Sequence, residues 1–171
     1  MRDPPDRAKR RAIKRGPFAL QLQDLEFDVH RAGRQLNGDI KLCERYGASR
    51  VKMCGEIRVF VSRKEPEDAV SAAQRRFEKL GMTKTSERNG VLIYVAPRVR
   101  KFAIIGDVAI HEKCGDGFWK EVAHEMTGHF RDGKFTSGII HAIRRAGALM
   151  AKHFPRHDGA KNQLSDEIDH D

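Results

Sequence analysis

Cysteine is scarce in this chain. Three thiols, Cys43, Cys54 and Cys114, make an odd number with no Cys-x-x-Cys spacing. That argues against a disulfide framework and suits a reducing compartment. Long apolar runs are missing too: nothing approaches the ~18 residues that a bilayer crossing takes. The basic start does not lead into a signal-peptide core, because Phe18-Ala19-Leu20 is short and Asp24, Glu26 and Asp28 follow. Nor is it the acid-poor, Ser-rich segment of a transit peptide. With no leader and no anchor in view, the expected location is cytoplasmic. Trp and Tyr are few, with one Trp and two Tyr, and Trp119 and Tyr94 both read as core. A single-strand RNA platform wants exposed aromatics among its cations, so nucleic acid is an unfavoured partner. No GxxxxGK[ST] loop and no GxSxG elbow occurs.

What the chain does have is charge, unevenly placed. The formal net charge of the 171 residues is +9. Residues 1–16 hold seven basic side chains and two acids, whereas residues 156–171 hold two basic and five acidic ones. Flanks of this kind bury too little apolar area to offset their ordering entropy. The expected organisation is a basic arm over 1–50 with a short helix around 35–46, a folded domain over 51–155, and an acidic tail over 156–171.

Within the domain the periodicities are clear. Ile57, Val59 and Val61 alternate with Arg58, Phe60 and Ser62, as in a strand. Pro66 and the acids Glu65, Glu67 and Asp68 open an amphipathic helix over 66–80, with Val70, Ala73, Phe77 and Leu80 inward and Gly81 closing it. Val91–Ala96 is a continuous apolar run, suited to a strand buried on both faces. Lys101–Ile105 returns as its hairpin partner. Asp116 is the expected cap of the next helix, whose inward face holds Trp119, Val122, Met126 and Phe130. Thr136 or Ser137 is the expected cap of the last helix, which Pro155 ends. The order β-α-β-β-α-α predicts a parallel βαβ unit plus one antiparallel strand: an α/β fold, a small mixed sheet between helices.

Candidate chemistry is sparse. His124, Glu125 and His129 do not make a zinc-protease helix, since five residues place the two imidazoles about 140° apart. His111, Glu112 and Cys114 cluster at irregular spacing in an expected loop. Arg88, Arg98, Arg100, Lys101, Arg144 and Arg145 could form a basic patch. Among the acids, Glu65, Glu67 and Asp68 lie at one end of the parallel strands. Glu56, Asn89 and Asp107 lie at the other, where their oxygens suit Ca²⁺ or another divalent cation. The plainer alternative is that these are solvated caps and loop acids.

Several segments together resemble the TPM domain family. Gly55-Glu56-Ile57-Arg58-Val59 is similar to its first strand, and Phe77 to Gly81 to its helix end. Thr83 to Tyr94 resembles its Asn-Gly-Val-Leu-Ile-Tyr loop and strand, and Arg100 to Asp107 its Gly-Asp strand. Trp119 to Leu149 resembles its helical end. The resemblance covers about 55–155 and implies an α/β/α sandwich of bacterial or chloroplast type. It further implies assembly or maintenance of membrane-protein complexes, Ca²⁺ binding, or a disputed phosphatase activity. Glu56, Asn89 and Asp107 are the motif-matching positions. The expectation is a soluble, non-enzymatic accessory module that binds a protein partner and has a divalent-cation site. The alternative is a metal-assisted phosphatase. No catalytic residue is nominated.

Overall fold

A computed structural model describes residues 18–22, 56–155 and 169–170. The helix expected around 35–46, the rest of the arm, and the tail apart from Asp169 and His170 lie outside the described residues. Strand β1 is Phe18–Leu22, β2 Ile57–Val61, β3 Val91–Ala96, β4 Lys101–Gly106 and β5 Asp169–His170. The helices are α1, Ala69–Lys79, α2, Val108–Arg131, and α3, Phe135–His153. The central order β2-α1-β3-β4-α2-α3 is the expected one. The five strands run β1-β4-β3-β2-β5 across a mixed sheet. β2 pairs in parallel with β3, Val59 opposite Ile93, and β4 pairs antiparallel with β3, Ile104 opposite Ile93. Two strands flank this centre, β1 antiparallel to β4 and β5 parallel to β2.

Alternation along the strands divides the core into two layers. Val59, Val61, Ile93, Val95, Phe102 and Ile104 face α2 and α3. Phe60, Leu92, Tyr94, Ala103 and Ile105 face α1 through Ala69, Ala73 and Phe77. β3 is buried along its whole length, which is why its sequence is an unbroken apolar run. Burying Phe77 or Phe102 completely contributes roughly 2–3 kcal/mol each. The Arg76 guanidinium lies 3.9 Å from the centroid of the Phe60 ring and covers that edge of the α1 layer.

Three helix starts differ from expectation. α1 begins at Ala69, after Asp68, whose carboxylate accepts from the Val70 and Ser71 amides at 3.0 and 3.1 Å. Pro66 and Glu67 lie ahead of the helix. The Ser71 hydroxyl also bonds Asp68 and is the largest cause holding that carboxyl below its ordinary pKa. α2 begins earlier than expected, at Val108 with Asp107 as its cap, and the helix expected from Asp116 follows a break at Gly115. The segment ahead of the break, apolar Val108, Ala109 and Ile110 followed by polar His111, Glu112 and Lys113, is only about two turns long and too short to show an amphipathic period; at Gly115 φ is 67°. His111, Glu112 and Cys114 are therefore helical. α3 begins at Phe135 with no side-chain cap, so neither Thr136 nor Ser137 serves.

The stops agree better. Gly81 and Gly133 have φ of 69° and 71°, the left-handed conformation that ends a helix at little cost. Gly106 ends β4 where a Cβ would meet Cζ2 of Trp119 at 2.9 Å. The missing side chain is what lets the indole seat on the strand end.

Candidate functional site

Two backbone bonds bring the motif-matching residues to one end of the sheet. The Val91 amide donates to the Glu56 carbonyl at 2.8 Å, and the Asp107 amide to the Gly90 carbonyl at 2.9 Å. Glu56 and Asn89 are buried and Asp107 has no exposure at all. Each sits where the local chain requires it. Glu56 opens β2, Asn89 and Gly90 lead into β3, and Asp107 follows β4 and caps α2.

The residue that organises this end is Arg88. Its Nε donates to Asp107 Oδ2 at 2.8 Å and its Nη2 to Oδ1 at 2.9 Å. The Val108 amide donates to Oδ1 at 2.8 Å. The Ala109 amide donates back to the Arg88 carbonyl at 3.0 Å. Arg88 holds this position with φ at 50°, uncommon for a residue with a side chain. Its hydrogen bonds to Asp107 raise the guanidinium pKa further. The Arg88 side chain is 45% exposed while that of Asp107 is 0%. A wholly buried carboxylate is thus neutralised by a cation that still reaches water, the arrangement that burial of a charge demands.

This pairing was not visible in the sequence. In the sequence Arg88 counts chemically as one member of a basic patch, and the structure disperses that patch. Arg88 lies in the loop that leads into β3, whereas Arg98 and Arg100 lie in the turn beyond its far end, Lys101 opens β4, and Arg144 and Arg145 lie on α3. At the far end Arg98 is 3.9 Å from Glu65, both largely exposed, and Lys101 Nζ donates to the Glu67 carbonyl. The signal that could have marked the latch is Gly106-Asp107 after an apolar strand, since Asp there is a helix cap and Gly a close approach.

As paired, these residues do not fit a divalent cation. Both Asp107 oxygens accept from the Arg88 fork, and a cation would have to sit against that guanidinium. Among the described residues, no three His, Cys, Asp or Glu side chains are arrayed to hold a metal.

The histidines fall elsewhere. His124 is exposed, while Glu125 Oε2 lies 2.8 Å from Nε2 of His141, a residue of α3. The His129 and His141 rings lie 5.6 Å apart, and Arg145 reaches both Glu121 and Glu125. These groups lace the outer seam between α2 and α3. Near the helix break, His111 Nε2 lies 3.2 Å from Asp116. Burial pushes the Cys114 thiol up to about 11, which makes it a poor nucleophile.

A mixed sheet with α1 on one face and the α2–α3 pair on the other defines a small α/β/α domain, its strand-end loop fastened by a buried ion pair. The sequence profile of the TPM domain matches residues 51–149, and the chain belongs to the TPM domain family. It is similar to the BA42 protein of the psychrophilic bacterium Bizionia argentinensis, whose structure was solved by NMR. The two share 29% identity with a TM-score of 0.65, over 85% of this chain and 95% of that one. No curated protein matches. Among the described residues no helix is long and apolar enough to cross a membrane.

Proposed function

We propose that this TPM-domain chain is a non-enzymatic accessory module that docks on a protein partner, such as a membrane-protein complex, through the sheet end around Arg88. The observation that supports this reading is how Asp107 is used. It is wholly buried and accepts three hydrogen bonds, two from Arg88 and one from Val108. An acid so committed is badly placed as a general base or nucleophile, because it is shut away from solvent and both of its oxygens already accept hydrogen bonds. What this end offers outward is the half-exposed guanidinium of Arg88, fixed on a loop stitched to α2. A pre-ordered charged group recognises a partner carboxylate with little ordering cost. A Ca²⁺ or other divalent ion at Glu56, Asn89 and Asp107 belongs to this reading only on the condition that it displaces the Arg88 fork.

The second reading is a metal-assisted phosphatase. It is favoured by the same anchored arginine, whose free edge suits phosphate oxygens. One preparation separates the two. Full-length protein carrying a photo-crosslinker at exposed position 87 is irradiated with native membrane fractions. It is also assayed on a phosphomonoester with Ca²⁺, Mg²⁺ and Mn²⁺. A discrete adduct that Arg88→Gln abolishes, without turnover above an Asp107→Ala control, is the expected result. Metal-dependent turnover that Asp107→Ala removes would transfer the assignment to the phosphatase. Absence of any discrete adduct overturns the docking role.

A further inference from the structure

β2 is one of the two outer strands of the region matched by the family, because β5 lies beyond residues 51–149. A strand in that position presents a row of backbone donors and acceptors that has to be covered. Here Asp169 and His170 lie parallel to it, opposite Phe60 and Val61.

Successive residues of a parallel strand address opposite neighbours. The Ser62 amide donates to Val95 of β3 at 2.8 Å. The N–H of Val61, one residue earlier, therefore points to the other side, where β5 lies. Charge favours the same pairing. Residues 57–64 include Arg58, Arg63 and Lys64 and no acid, while residues 156–171 hold five acids against two basic residues. A strand of two residues is marginal on its own, so its hold on the edge is exchangeable.

We propose that the outer edge of β2 is a strand-addition site for acidic extended peptides, with the chain's own Asp169–His170 as the occupant held in cis. Main-chain bonds supply the affinity in this mode of recognition, and the flanking cations select an acidic strand. Tethering gives the resident segment an effective concentration on the order of millimolar, so a competing peptide acts only at comparable concentration. This site is on a strand edge remote from the Arg88 docking role and does not depend on it.

Amide hydrogen exchange on the full-length chain tests the proposal. The comparison is with a full-length variant carrying Asp166→Lys, Glu167→Lys, Asp169→Lys and Asp171→Lys. We expect the Val61 amide to exchange at least tenfold faster in the variant, with Ser62 unchanged because it bonds β3. A free peptide Asp-Glu-Ile-Asp-His-Asp at millimolar concentration should restore Val61 protection. Equal Val61 rates in the two proteins overturn the proposal. So does failure of the peptide to restore protection, or equal restoration by its all-Lys counterpart.

Discussion

The two ends of the central strands carry the same kinds of residue and use them in opposite ways. At the far end Glu65, Glu67, Arg98 and Lys101 are solvated, and the Arg98–Glu65 pair is 3.9 Å long with both side chains more than half exposed. At the near end one arginine and one aspartate make a two-pronged pair at 2.8 and 2.9 Å, with the aspartate shut away from water. Solvent screening leaves the first kind of pair worth little, whereas removing one partner of the second strands a charge in the interior. Proximity of opposite charges does not by itself distinguish them. Burial of one partner does.

That contrast can be broken at its strong end. Arg88→Ala leaves Asp107 buried without its fork and is expected to cost about 3 kcal/mol, less what water entering behind the truncated side chain recovers. Urea unfolding of the variant beside the parent measures it. A cost below about 1 kcal/mol would place the Arg88 pair with the weak ones.

Asp68, the exposed cap at the far end, gives a smaller and pH-dependent effect. Its carboxyl is held low in the folded state, first by the Ser71 hydroxyl and then by the Ser71 and Val70 amides. A lowered folded pKa contributes stability above the unfolded value and loses it as pH falls through the folded one. Asp68→Ala should therefore lower the melting temperature at pH 7, and the difference should narrow as the pH falls below 4. A difference constant across that range would mean the carboxylate charge plays no part in the cap.

The smallest effect is expected at Arg98. Arg98→Ala should change stability by no more than about 0.5 kcal/mol, and by less in high salt. Equality with Arg88→Ala in the same urea titration would erase the distinction between the two ends.

Much of the framework was legible because hydrophobic period and burial coincide. The alternation at Ile57–Val61 marks a strand and the unbroken run at Val91–Ala96 a doubly covered one. The convergence of Glu56, Asn89 and Asp107 followed from topology alone, since parallel strands and a hairpin decide which ends meet. What topology could not supply was the pairing of Arg88 with Asp107, nineteen residues apart, or of Glu125 with His141 across a helix seam. Such contacts depend on loop conformation and helix rotation, which no local period encodes. The start of α2 was missed for a related reason. Its first segment, Val108-Ala109-Ile110 and then His111-Glu112-Lys113, stops at the Gly115 break before an apolar stripe can repeat. Asp169–His170 joins the sheet through backbone pairing, with no side-chain alternation to announce it.

Trp119 is the chain's single tryptophan. It is fully buried and seated on Gly106, the residue before Asp107. Its indole is set in the interior beside the Cys114 thiol, which it helps to hold. The protein consequently carries one native fluorophore, in a dry setting, a residue away from the carboxylate that fastens the loop. Its emission reports on that end of the sheet without a label, and loosening of the Arg88 latch would register there as a red shift.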